Sequence, residues 1–165
     1  MEEYNIQLIE QPVRRWDLNT LAHLKEKLDT PLMVDESIFN CRDALRVITA
    51  KAADIFNIKP HRVGGIYEAR KISNIAAVAN IPCFASGKMS TSIGSAACAH
   101  FAFATPNLVY EGEFAMGVDA IRNDLVTNPI KINNGFVEIG NSSGLGIIVD
   151  EKFVKKNSKE EIIVK

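Results

Sequence analysis

The chain has 165 residues, 47% of them hydrophobic and 24% charged, with a formal net charge of -1. That is the length and composition of one soluble globular domain with a sizeable core. A near-neutral chain with no dense basic run gives no electrostatic reason to expect nucleic acid or an anionic membrane as partner, and no apolar run is long enough to span a bilayer.

Apolar runs of four to eight residues alternate along the chain with segments of helical period, the pattern of parallel strands buried on both faces and joined by crossover helices. The first strand is expected over residues 4–9, followed by a helix over 18–28 with Asp17 as its N-cap. A strand over 32–34 and a helix over 42–52 come next, then a strand over 55–58 and a helix over 67–78. A fourth strand over 83–85 leads to a helix over 92–103, and a fifth strand is expected over 108–110. Beyond Phe114 the pattern changes, and Asn133-Asn134-Gly135 between residues 130–132 and 136–139 reads as a hairpin turn. Two parts follow, 1–115 as βα units and 116–165 as a tail.

Polar residues mark the ends of these strands at Glu10, Asp35, Lys59, Ser86 and Glu111, in steps of 25, 24, 27 and 25 residues. Such a period is that of a βα repeat. The carboxyl ends of parallel strands face one ligand crevice, so these residues are expected to converge there. The near-constant period without a glycine-rich phosphate loop favours part of an eight-stranded α/β barrel, about five βα units of it, over an open doubly wound sheet; five strands cannot close a barrel.

Glu10 in Leu8-Ile9-Glu10-Gln11-Pro12 and Asp35 in Val34-Asp35-Glu36-Ser37 each follow an apolar strand. Two readings stay open for them: hard oxygen ligands suited to magnesium, or strand-end acids that cap helices or remain solvated. Lys59 ends the next strand before the close turn Val63-Gly64-Gly65-Ile66. An amine beside a bound cation and out of bulk water exchanges protons near neutral pH more readily, which makes this lysine a candidate acid/base; an exposed loop lysine is the alternative. The cysteines, Cys41, Cys83 and Cys98, are odd in number and lack C-x-x-C spacing. With no secretion signal apparent, a reducing cytoplasm without disulfides is expected, and Asn141-Ser142-Ser143 is read as a turn rather than a glycosylation site. His61 is read as a loop residue, His100 as a core residue with a backbone partner and Trp16 as packing.

Through Ile9-Glu10-Gln11-Pro12, Val34-Asp35-Glu36-Ser37, Asn57-Ile58-Lys59 and Gly64-Gly65-Ile66 the sequence resembles the muconate-lactonizing and mandelate-racemase branch of the enolase superfamily. Ser92-Ile93-Gly94 with His100, Ala104-Thr105-Pro106-Asn107 and Ser143-Gly144-Leu145-Gly146 extend the resemblance over nearly the whole chain. It implies a modified α/β barrel with a separate capping domain, against which the tail would pack. It further implies Glu10 and Asp35 as the second and third carboxylates of a magnesium site, manganese being the alternative ion, and Lys59 as the acid/base lysine. The chemistry it implies is abstraction of a proton α to the carboxylate of a small substrate, giving an enediolate stabilised by the metal. Racemisation, epimerisation, cycloisomerisation and dehydration all begin this way.

Within these 165 residues the family's first metal carboxylate, its lysine pair on an earlier strand and its capping domain have no counterpart. The chain is therefore expected to bind magnesium poorly alone, and to work with a complementing chain or as a homo-oligomer; a non-catalytic fragment that self-associates is the competing expectation. In Gly87-Lys88-Met89-Ser90-Thr91 many relatives carry a glutamate near Ser90, so Lys88 or Ser90 is a candidate substrate contact. Glu36 is another. Ser86 stands where the mandelate-racemase subgroup has a histidine, which leaves a lysine-based mechanism. Glu111 and Glu113, around Gly112, match acids that hold a substrate ammonium in dipeptide epimerases of the family.

Overall fold

In the computed structural model, residues 2–88, 90–110, 112–113 and 124–159 are described. Four short strands, Ile9–Glu10 (β1), Leu32–Val34 (β2), Ile55–Ile58 (β3) and Cys83–Ala85 (β4), pair in parallel in sequence order. All residues of β2 and β3 are buried, as continuous apolar runs in a covered parallel sheet should be. The register Glu10↔Met33, Met33↔Ile55 and Asn57↔Phe84 sorts the side chains onto two faces. Val34, Phe56, Ile58, Cys83 and Ala85 belong to the main core with residues of the helices. Glu10, Met33, Ile55, Asn57 and Phe84 share the opposite face.

The crossover helices are Leu18–Lys27 (α1), Cys41–Thr49 (α2), Pro60–Val63 (α3), Ile66–Val78 (α4) and Ser92–Phe103 (α5). Asp17 caps α1 by accepting from the Thr20 N–H at 3.1 Å and its hydroxyl at 2.8 Å. Asn40 caps α2, its Oδ1 accepting from the N–H groups of Arg42 and Asp43. Between α3 and α4 the chain turns through Gly64 and Gly65 at φ of 100° and 107°, a conformation that disfavours a Cβ. Pro60 opens α3, where its missing N–H costs nothing.

The first strand is shorter than expected. Residues 2–4 form a 3₁₀ turn, Asn5 takes a left-handed φ of 50°, and only Ile9 and Glu10 join the sheet. Polar Asn5 and Gln7 interrupt the run, and among the described residues β1 has a paired neighbour on one side only. The fifth strand is present as two isolated parallel bridges to the edge of β4, at Leu108 and at Glu113. Their rungs run from Cys83 N–H to Asn107 O at 2.8 Å and from Gly87 N–H to Glu113 O at 2.6 Å.

The hairpin forms as Lys131–Asn133 (β5) and Phe136–Glu138 (β6), with Asn134 and Gly135 both left-handed. Two positive φ angles make the I′ turn that suits strand twist. A short helix, Glu151–Asn157 (α6), follows under an Asp150 cap. The tail docks on α5 through a second apolar cluster of Ala96, Ala99 and Ile130, with Val137, Ile139, Leu145 and Ile147 packed against it. Asp124 accepts from the N–H of Ser92 at the start of α5, and Ile130 N–H donates to the Ser92 hydroxyl.

Candidate active site

Parallel pairing brings neighbouring strand ends to one edge of the sheet. Glu10 closes β1, Asp35 directly follows β2, Lys59 is the N-cap of α3 directly after β3, and Ser86 directly follows β4. Asn57, inside β3, joins three of the strands. It accepts from the Ser86 hydroxyl at 2.8 Å and donates through Nδ2 to Glu10 Oε1 at 2.8 Å. Lys59 Nζ donates to Asp35 Oδ2 at 2.5 Å, and Arg62 Nη1 pairs with Asp35 Oδ1. Arg62 Nη2 also reaches the carbonyls of Asp35 at 2.8 Å and Asn57 at 3.2 Å, while Phe39 stacks on its guanidinium 5.4 Å away.

The two carboxylates have opposite electrostatics. Burial disfavours the charged form of Asp35, whose side chain is 5% exposed, but hydrogen bonds and charge from Lys59 and Arg62 outweigh that and hold its carboxyl below the usual range. Glu10 lies at the open edge of the sheet and keeps surface in water, yet its carboxyl head is crowded. Partial burial pushes its pKa up, the Asn57 hydrogen bond pulls it down, and the Asp35 charge pushes it up again, with a net rise. His61 is held below the usual imidazole range by partial burial and by the charges of Arg62, Lys59 and Lys88.

Glu10, Asp35, Lys59 and Ser86 are therefore brought together. Ser86 is fully buried and its hydroxyl is committed to Asn57, so it reaches the crevice only through that amide. Lys88 is exposed and makes no ion pair among the described residues. Ser90 packs against α5, where a Cβ on Gly94 would stand 3.0 Å from it. Glu36 turns away from Asp35 into a separate groove of about 320 Å³ with Arg15, Trp16 and Phe39. Glu113 is exposed beside the end of β4, and Glu111 lies outside the described residues.

Two smaller expectations are overturned. His100 was expected to have a backbone partner, but its Nε2 is buried without one among the described residues. Trp16 was expected to pack, but it is 64% exposed and its ring is covered on one side by Arg14. Burial pushes the Cys83 and Cys98 thiols up to about 12, which disfavours their thiolates.

Sequence reasoning passed over Gln11, Asn57 and Arg62 as site residues. Asn57 carried a signal, a lone amide in the apolar run Ile55-Phe56-Asn57-Ile58. Buried polar side chains in strands need partners, and its partners lie 47 and 29 residues away. Arg62 is one helical turn from Lys59, a spacing that also fits a solvated helix face.

Among the described residues no group of three or more histidine, cysteine, aspartate or glutamate side chains is placed to hold a metal ion. Glu10 and Asp35 do fit magnesium in donor chemistry. They are hard oxygen donors close enough for the Asp35 charge to raise the Glu10 pKa, a repulsion that a bound divalent cation would relieve. They would supply two oxygen ligands, and both Asp35 oxygens are shared with Lys59 and Arg62.

A family model described as Enolase C-terminal domain-like matches residues 1–153. The chain belongs to that family. It is 33% identical over 156 residues to an o-succinylbenzoate synthase of Bacillus subtilis (strain 168), covering 94% of this chain and 42% of the relative. It is 36% identical over 151 residues to a hydrophobic dipeptide epimerase of Enterococcus faecalis, covering 89% and 42%. The crystal structure of N-succinyl Arg/Lys racemase from Bacillus cereus superposes with a TM-score of 0.91 at 32% identity, over 99% of this chain and 43% of that one. The parallel sheet and antiparallel hairpin thus match the C-terminal barrel part of enolase-superfamily structures, and the chain spans somewhat under half the length of these relatives. No helix among the described residues is long and apolar enough to cross a membrane.

Proposed function

We propose that this chain is the C-terminal barrel portion of a magnesium-dependent isomerase or lyase that abstracts a proton α to a carboxylate, as a cycloisomerase, epimerase, racemase or dehydratase does. The observation that carries the reading is the convergence of Glu10, Asp35 and Lys59 on one end of a parallel sheet in a chain of this family. Glu10 and Asp35 would hold the cation, with manganese as the alternative ion. When bound, magnesium supplies positive charge opposite the negative charge that develops on the substrate carboxylate. Asn57 orients Glu10, Ser86 fixes Asn57, and Arg62 keeps Asp35 ionised. Lys59 Nζ moves the proton at the substrate α-carbon, while Lys88, Ser90, Glu111 and Glu113 are the candidate contacts for the rest of the substrate. A cytoplasmic location belongs to the same reading.

Deuterium exchange tests it. Small N-acylamino acids and dipeptides incubated in D₂O with the chain and any co-purifying partner are expected to lose α-proton NMR signal in a magnesium-dependent way. Lys59→Met should abolish the loss, and exchange that persists in Lys59→Met would overturn the role given to the lysine.

A second reading rests on the open sheet. β1 pairs only with β2 among the described strands and is less buried than β2 and β3, leaving an edge that templates pairing with another chain. In this reading the chain is a non-catalytic fragment that self-associates. Light-scattering mass with and without magnesium, with sequencing of any co-purifying chain, separates the two. A defined complex with a strand-supplying chain supports the enzyme, and self-association indifferent to magnesium supports the fragment.

A further inference from the structure

We propose that Gln11 is the positioning residue that sets the Glu10 and Asp35 carboxylates side by side for a divalent cation. The inference rests on the reading of those two acids as cation ligands and adds the part that fixes their spacing. Gln11 follows Glu10 and makes the last rung between β1 and β2, its N–H donating to Met33 O at 2.8 Å. There its backbone leaves the strand at a φ of 38°, a left-handed value that few residues with a side chain adopt. Pro12 follows, and a proline further restricts the residue before it.

This unfavourable conformation delivers the side chain to the loop after β2. Oε1 accepts from the N–H of Asp35 at 2.9 Å and of Ser37 at 3.2 Å. Nε2 donates to Val13 O and to the Ser37 hydroxyl, both at 3.0 Å, and that hydroxyl donates onward to Arg15 O at 2.9 Å. The amide oxygen is used twice and both amide hydrogens are used, so the side chain has one orientation. Asn57 and Arg62 each act chiefly on one carboxylate head. Gln11 instead ties the backbone bearing one carboxylate to the backbone bearing the other, and backbone strain retained at a strand end is the pattern of a site held for function.

The test uses the ¹⁵N-labelled chain and Mn²⁺ as the probe, reading paramagnetic broadening of the Asn57 and Lys59 amides. Gln11→Ala, and Gln11→Gly whose backbone accepts the left-handed φ, should raise the Mn²⁺ concentration for half-broadening by about tenfold or more, the usual scale for loss of a residue that orients metal ligands. Asn40→Ala, a helix cap away from the site, should leave it within about twofold. Hydrogen exchange at Asp35 and Ser37 should quicken in Gln11→Gly and slow again in Gln11→Glu, which keeps the acceptor. A folded Gln11→Gly chain that broadens like the parent overturns the proposal and leaves Gln11 a loop brace. Absence of broadening in the parent chain instead sinks the cation reading of Glu10 and Asp35, and the proposal with it.

Discussion

Asp35 keeps its charge in a nearly closed environment because two cations share it. Lys59 contributes one contact to Oδ2, whereas Arg62 bonds Oδ1 and two backbone carbonyls and stacks on Phe39. Removing one partner of a buried pair costs about 3–5 kcal/mol when the remaining charge has no other partner. Lys59 stays in Arg62→Ala, so the expected loss is smaller, about 2–3 kcal/mol, read as a lower urea midpoint. The two acids also respond oppositely to pH. Asp35 has a folded pKa below its ordinary value of 3.8, so its contribution is fully present above that value and is lost as pH falls through the lower folded value. Glu10 has a folded pKa above 4.5, so its ionised form opposes folding in full above that raised value, and the opposition fades as pH falls from there to 4.5 and is gone below it. Glu10→Gln keeps an acceptor for Asn57 and removes the charge. It should be more stable than the parent at neutral pH and lose that advantage in acid, as urea unfolding at the two pH values would show.

The helices illustrate what local sequence decides. Asn40 closes α2 with two backbone hydrogen bonds, so Asn40→Ala should cost about 1 kcal/mol by chemical denaturation without altering the site. Capping, helical period and apolar runs are written within a few residues, and α1, α4, α5 and β2 to β4 accordingly fall within a residue or so of their expected places. α3 was hidden because four residues give no period, although Pro60 before Gly64 marks its two ends. β1 was overextended because the run from Tyr4 to Ile9 is apolar enough for a strand, while strand length depends on a neighbour that local pattern does not supply. The site divides in the same way. Glu10, Asp35 and Lys59 were legible as strand ends at a repeat period, whereas Gln11, Asn57 and Arg62 take their roles from pairings 24 to 47 residues apart.

At the scale of the molecule, the sheet is finished on its helix-covered face and open at its edge. Val34, Phe56 and Ile58 are fully buried under α1, α2 and α4, but β1 shows Ile9 half-buried and Glu10 exposed. The same edge bears one of the two carboxylates, so cation binding and sheet completion concern the same strand. Magnesium favours six oxygen ligands and keeps waters where protein gives few, and two carboxylates, of which Asp35 is shared with Lys59 and Arg62, would make a weak site. The chain by itself is therefore expected to bind magnesium more weakly than micromolar by calorimetric titration, and a micromolar constant would contradict a two-carboxylate site. Leu8→Lys places a charge beside the open edge, two positions from Glu10, without touching the rungs of the β1–β2 ladder at Ile9 and Gln11. Charges on edge strands block pairing with another chain. If completion of the sheet is what raises affinity, this variant should show less concentration-dependent mass in light scattering. It should also fail to gain magnesium affinity when a strand-supplying partner is added, while the parent chain gains it.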